Sequence, residues 1–205
     1  MNTEIVIKIG IFLGAYLVGS IPFGYILTKK FAGKNILEHG SGNIGSTNVG
    51  RIAGKKLAIA VQILDMLKGL IPVILVFPFR DEKYGLSADL PFAFQVAIAT
   101  ILGHNFSIFL KFKGGKGVNT SLGALVLFDP FAIFASVGVY FISKYLTKYV
   151  SLSSILLALS LPLFHALHGT DLREFLYFLS IGLLIVVRHI PNIKRLLKGV
   201  ESKAK

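Results

Sequence analysis

The chain has 205 residues, 54% of them hydrophobic, and a mean hydropathy of +0.72. That is more apolar side chain than a soluble domain of this size buries, and it falls in long runs without β-barrel alternation, which argues against both classes. The formal charge of +12 points to cytoplasmic loops and anionic substrates, and the lack of cysteine excludes disulfides, thiolate metal sites and a cysteine nucleophile.

Crossing about 30 Å of hydrocarbon takes about 20 helical residues. Ile5–Leu27 is the first such run. It is too long for a signal peptide and lacks a small-residue cleavage pattern, so it reads as a retained span. Leu57–Phe79 and Pro91–Leu110 follow. The run Ser121–Tyr145 is interrupted by Asp129-Pro130. Proline disfavours helix in the residue before it and cannot donate the next backbone bond. The run therefore divides into Ser121–Phe128, starting as early as Gly117, and Phe131–Tyr145. Val150–Leu167 and Leu172–Ile190 complete the set. The expected fold is all-α: a polytopic membrane helix bundle of about seven segments, one or two of them short or broken. It is expected as one membrane-embedded domain over residues 1–200, with Glu201–Lys205 as a frayed tail. No internal repeat stands out.

Charge sets the expected orientation. With the N-terminus outside, the inner portions are Thr28–Lys56, the stretch around Lys111–Lys116, Lys144–Lys148 and the tail from Arg188; they hold 17 of the 22 Lys and Arg. The outer loops, Arg80–Leu90 and His168–Glu174, hold three Lys and Arg, offset by five Asp and Glu. This is the positive-inside pattern. Six spans, with Ser121–Tyr145 unbroken, would place the basic tail outside.

Three inner segments hold the chemistry. The first, GSGNIGSTNVGR over Gly40–Arg51, mixes glycine with Ser41, Asn43, Ser46, Thr47 and Asn48 and ends in an arginine. That is a tightly curving, hydrogen-bonding backbone beside a planar fork suited to phosphate. The bland reading is a connector made of turn residues. The second, Gly103–Thr120, places His104 before Lys111, Lys113 and Lys116 and before Gly114, Gly115 and Gly117. Glycines let the backbone wrap a ligand with its N–H groups turned inward, and the lysines add charge. It is either a phosphate nest or a basic loop on anionic headgroups. Gly115-Lys116 is followed by Gly117 and preceded five residues earlier by Leu110, so it is not a Walker A loop. His104 is either a satisfied helix-end histidine or a ligand contact. The third runs from Arg188: a cation, His189 as a titratable base, Pro191 as a helix breaker and Asn192 as an amide, all at one interface.

Asp65 and Lys68, three apart in the second span, share a helix face. They are either a structural ion pair or part of a substrate pocket. His165 and His168 fall near the outer surface, away from catalysis, and His39 is a loop histidine with no visible partner.

In order and over the whole chain, GSIPFGYI (Gly19–Ile26), SGNIGSTNVGR (Ser41–Arg51), GHNFSIFLKFKGGKGVNT (Gly103–Thr120) and RHIPNIKRLLKGVE (Arg188–Glu201) resemble the acyl-phosphate-dependent glycerol-3-phosphate acyltransferases of bacteria, the PlsY family. The resemblance implies a small multi-helix enzyme of the bacterial inner membrane, with its motifs on the cytoplasmic face. The implied reaction transfers an acyl chain from acyl phosphate to the sn-1 hydroxyl of glycerol 3-phosphate, giving lysophosphatidic acid and phosphate. Ser41 and Arg51 would be needed for activity, and His189 and Asn192 would serve catalysis. Gly114, Gly115 and Gly117 would bind glycerol 3-phosphate, and Glu201 would hold the tail. We add Gly42, Asn43, Thr47, Asn48, His104, Lys111, Lys116 and Arg188 as expected substrate contacts. Ser46 and Asn119 stand where the family commonly has alanine, so Ser46 is not taken as a nucleophile. The His-x4-Asp motif of acyl-CoA-type enzymes is absent: Ile44, Phe109, Thr170, Arg173 and Lys194 stand five after the five histidines.

The expected partners are acyl phosphate, glycerol 3-phosphate, membrane lipids and a soluble enzyme that makes the acyl phosphate. No metal, cofactor or nucleic acid is expected. The alternative is a transporter of a phosphorylated metabolite. Transporters, however, tend to bind near the midplane at broken helices in paired repeats.

Overall fold

A computed structural model of the chain describes residues 3–76, 92–168 and 171–204. Among them, regular structure is helical throughout. The chain divides into two compact units, Met1–Ala124 and Leu125–Lys205.

In the first unit, α1 (Thr3–Ser20) and α2 (Phe23–Ala32) are separated at Ile21-Pro22. The expected unbroken run Ile5–Leu27 is therefore two helices, because Pro22 has no N–H for the ladder and disfavours helix in Ile21. A short 3₁₀ turn, Ile36–Glu38, and α3 (Ser46–Ala53) follow. The long α4 (Lys55–Val76) comes next; its expected end at Phe79 lies outside the described residues. α5 (Phe92–Asn105) stops five residues short of the expected Leu110, where the chain turns through the 3₁₀ turn Ile108–Leu110. Its expected start at Pro91 is also outside the described residues. α6 (Val118–Leu125) is the short element expected before Asp129-Pro130, and it does begin near Gly117.

Many large apolar side chains of this unit face outward, as in a protein solvated by lipid. Leu75 is 68% exposed, while Ser20, Thr100, Thr120 and Ser121 are buried. Lipid tails give no hydrophobic reward for joining helices, so association relies on close packing of small residues. α1 and α5 meet through such a pair. A Cβ on Gly19 would lie 2.1 Å from the Thr100 carbonyl oxygen, and one on Gly103 would lie 2.2 Å from that of Tyr16. α4 and α6 meet in the same way at Gly69 and Gly123. Near the start of α4, Ile36, Ile44, Val49 and Val61 form a dry nucleus that holds the first polar segment against the helix.

In the second unit, Asp129 caps α7 (Pro130–Thr147) by accepting from the Ala132 N–H at 2.9 Å. The same carboxylate bonds His165 Nδ1 at 2.8 Å, in the last turn of α8 (Val150–Ala166), and His165 stacks on Phe178. That set gives His165 a packing role. α9 (Leu172–Arg188) bends by 56° into α10 (Ile190–Leu197). Pro191 therefore opens a new helix as well as ending the old one, because the first-turn N–H it lacks has no intrahelical partner anyway.

Four described helical stretches are long and apolar enough to cross a membrane: Thr3–Ala32, Lys55–Val76, Phe92–Leu110 and Pro130–Thr147. The bent pair α9–α10 makes a fifth if it is one span, and α8 is a shorter apolar helix. The charged loop expected over Arg80–Leu90 lies outside the described residues, as does part of the one over His168–Glu174.

Candidate active site

The first polar segment is organised by one buried amide. Asn48 Oδ1 accepts from the Ser41 N–H at 3.0 Å, and its Nδ2 donates to the carbonyls of His39 at 3.1 Å and Asn43 at 2.9 Å. Both N–H donors of Asn48, an expected substrate contact, go to the loop, which curves around it through left-handed Gly40 and Gly42. Asn43 Oδ1 likewise accepts from the Gly45 N–H at 2.9 Å. His39, expected without a partner, places Nδ1 2.8 Å from the Asn35 carbonyl. The clamp leaves Ser41, Thr47 and Arg51 exposed. Thr47 and Arg51, four apart on α3, share one face.

The second segment is moulded onto the end of α5. The Gly115 N–H donates to the His104 carbonyl at 2.9 Å. A Cβ on Gly114 would lie 2.1 Å from that same oxygen, and one on Gly115 would lie 2.1 Å from His104 Nε2. Gly117 adopts φ +85°, and a Cβ there would lie 2.8 Å from Asn105 Oδ1. The loop thus has no room for side chains on its inner wall. Sequence reasoning missed Asn105, whose amide is fully buried with no hydrogen-bond partner on either polar atom. The loop is also tied to the end of α1: Ser107 Oγ donates to the Ser20 carbonyl at 2.6 Å, and Tyr16 Oη donates to that of Phe106 at 2.7 Å. None of these residues stood out, because their partners lie far away in sequence. Lys111 and Phe112 are both left-handed, at φ 52° and 63°, a conformation costing on the order of 1 kcal/mol per non-glycine residue. Lys111 and Lys113 are exposed; Lys116 is half-buried.

These two segments meet. Asn119 Nδ2, on α6, donates to Ser46 Oγ, on α3, across 3.4 Å.

The third segment lies in the second unit and is described by itself. His189 sits at the α9–α10 bend, with Nδ1 2.8 Å from the Ile185 carbonyl. A carbonyl only accepts, so Nδ1 carries a proton, and the neutral tautomer that fits this contact has its lone pair on Nε2. Asn192, in the first turn of α10, donates from Nδ2 to Glu201 Oε1 at 2.7 Å. Glu201 also accepts from Ser151 Oγ at 2.8 Å and Arg195 Nε at 2.6 Å. Burial pushes the Glu201 carboxyl up, but those three donors and the Arg195 charge outweigh it and hold the group below its ordinary value. The tail expected to be frayed is therefore fastened, and the Ala204 N–H adds a bond to the Lys148 carbonyl at 2.7 Å. Arg188 is half-buried in the last turn of α9.

Among the described residues, no group of three or more His, Asp or Glu is arranged to hold a metal ion.

Comparison with known proteins places this geometry. The family model described as glycerol-3-phosphate acyltransferase matches residues 9–199. A glycerol-3-phosphate acyltransferase of Clostridium acetobutylicum is 40% identical over 189 residues, covering 92% of this chain and 95% of the relative. That of Desulforudis audaxviator is 41% identical over 190 residues, covering 92% and 91%. The crystal structure of PlsY (YgiH), an integral membrane glycerol 3-phosphate acyltransferase, in its glycerol 3-phosphate form superposes with a TM-score of 0.87 at 38% identity, covering 97% of this chain and 96% of that one. Its lysophosphatidic acid form superposes at 0.83, also at 38% identity, covering 96% and 94%. By motif, helix order and superposition alike, this integral membrane protein belongs to the PlsY family of glycerol-3-phosphate acyltransferases.

Proposed function

We propose that the protein moves an acyl chain from acyl phosphate to the sn-1 hydroxyl of glycerol 3-phosphate. The observation that carries this reading is the glycine loop sealed onto His104–Asn105, in a chain that superposes nearly end to end on an enzyme in its glycerol 3-phosphate form. Gly114, Gly115 and Gly117, with Lys111 or Lys116, hold the phosphate of glycerol 3-phosphate. Ser41 and Arg51 serve the acyl phosphate; Gly42, Asn43 and Thr47 shape or line that segment.

The donor is already activated, so no acyl-enzyme is required. The sn-1 oxygen attacks the acyl carbonyl carbon, and the carbon–oxygen bond to phosphate breaks. The electron pair leaves on inorganic phosphate, and the hydroxyl proton passes to the base, which is either His189 Nε2 or a phosphate oxygen of a substrate. Positioning and charge stabilisation are then the main demands, and Arg188 and Asn192 are suited to the latter. Glu201 orients Asn192 by taking one of its two N–H donors.

The reaction takes place at the cytoplasmic face of the bacterial inner membrane. The basic segments lie inside and the N-terminus outside, and a soluble acyl-phosphate-producing enzyme supplies the donor. Purified protein given labelled glycerol 3-phosphate and palmitoyl phosphate should release lysophosphatidic acid and phosphate. Folded protein that fails with every acyl-phosphate length would refute the reading. A cysteine at Ser202, exposed on the tail, should be labelled only from the cytoplasmic side.

A further inference from the structure

A line of polar groups runs through the first unit beneath the glycine loop, and the reaction outlined above makes no use of it. It begins at the α1–α2 break, where Lys68 Nζ donates to the Ile21 carbonyl at 2.8 Å. That carbonyl lies outside the helical ladder, and Lys68 adds a second donor to the Phe23 N–H that it already accepts at 3.1 Å. Lys68 Nζ also lies 2.8 Å from Asp65 Oδ1, one turn away on α4. The same carboxylate oxygen lies 3.6 Å from His104 Nδ1, at the end of α5. The other ring nitrogen, Nε2, is the atom a Cβ on Gly115 would strike. Asp65, Lys68 and His104 are 2%, 3% and 4% exposed, so a substrate in the loop would reach neither Asp65 nor Lys68.

We infer that Asp65 and Lys68 are positioning residues for the glycerol phosphate loop, acting through the imidazole of His104. The carboxylate faces Nδ1 and so favours the tautomer with its hydrogen there, which turns the Nε2 lone-pair edge toward Gly115. Lys68 fixes that carboxylate, and the Ile21 carbonyl fixes Lys68. The ring is thereby a rigid back wall against which Gly115 is seated. A carboxylate behind a histidine plays the same part in metal sites, where losing it costs about ten- to a hundredfold in affinity. This role is distinct from a structural ion pair, which would support α4 and leave the loop indifferent.

The inference rests on glycerol 3-phosphate occupying the loop, and the test separates the two. Asp65→Asn keeps the shape and removes the charge; His104→Gln keeps a polar side chain and removes the ring. Each should raise KM for glycerol 3-phosphate about tenfold, with kcat within about threefold and KM for palmitoyl phosphate unchanged. The double variant should be no worse than the poorer single one, since both break one line. Asp65→Glu should recover part of the loss. Folded variants with wild-type KM would overturn the inference, as would a fall in kcat at constant KM. Failure of both variants to fold would also overturn it, leaving the pair as a core element only. If the wild type transferred no acyl group, the functional reading would fail instead. The inference would then stand or fall on calorimetric binding of glycerol 3-phosphate, with a tenfold weaker Kd expected in Asp65→Asn.

Discussion

Asn119 Nδ2 donates to Ser46 Oγ across 3.4 Å, and so joins the helix after the glycine loop to the first residue of α3. These are the two positions at which the family resemblance leads one to expect alanine, and here they carry polar side chains that meet each other. The bond is long and therefore weak. Ser46→Ala and Asn119→Ala should each leave kcat within about twofold, and a double-mutant cycle on stability should show coupling of about 0.5 kcal/mol. Loss of activity in Ser46→Ala alone would show that its hydroxyl takes part in chemistry.

Alanine at Gly114 tests how tightly the loop is sealed. Its Cβ would meet the His104 carbonyl at 2.1 Å and the Asn105 carbonyl carbon at 2.6 Å, both backbone atoms that cannot step aside. The loop must lift, and a displacement of about 1 Å can cost on the order of a hundredfold in rate. Gly114→Ala should therefore raise KM for glycerol 3-phosphate by at least about tenfold. Gly138, whose Cβ would meet nothing within 4 Å, is the matched control and should tolerate alanine.

Replacing Asn48 removes a clamp. Asn48→Ala deletes three hydrogen bonds and leaves backbone groups of His39, Ser41 and Asn43 to find new partners. The expected loss is about 2–4 kcal/mol, read as a lower melting temperature in detergent. Asn48→Asp keeps the acceptor for Ser41 but loses both donors, so it should be nearly as damaging. A stable Asn48→Ala with impaired substrate binding would support the ligand-contact role expected from sequence.

The tail predicts a pH dependence. Glu201 has a folded pKa below its ordinary value of 4.5, so its contribution is fully present above that value and is lost as pH falls through the folded pKa. The melting temperature of the wild type should therefore fall more steeply below about pH 4.5 than that of Glu201→Gln. At neutral pH the variant should already be less stable, by about 1–3 kcal/mol, because Arg195 loses its charged partner. Identical profiles would show that the three hydrogen bonds to Glu201 contribute nothing measurable.

Much of this architecture is legible in the sequence. Apolar runs mark the helices, Asp129-Pro130 marks the division before α7, and the Gly/Asn/Lys segments mark where the backbone curves. Other features were hidden for physical reasons. Pro22 sits inside an apolar run, and hydropathy cannot distinguish a kinked span from a broken one. Asn48 has the composition of a ligand contact and the job of a turn brace, and only its partners tell these apart. The Asp65–Lys68 pairing follows from helix spacing. Its continuation to Ile21 and His104 does not, since those groups come from other helices. Asn105 carried no signal beyond its neighbours.

The paired glycines of α1 and α5 bear on how the enzyme responds to its membrane. Lipid-facing helices adjust to a thicker or thinner bilayer by tilting, at a modest cost per ångström of mismatch. Gly19 and Gly103 set α1 against α5 backbone to backbone, with no side chain between them to give way. His104 follows directly on Gly103, so the wall behind the glycine loop takes its position from this contact and not from the surrounding lipid. Substrate affinity should accordingly stay constant across bilayers of different thickness, even where the outer helices change their tilt.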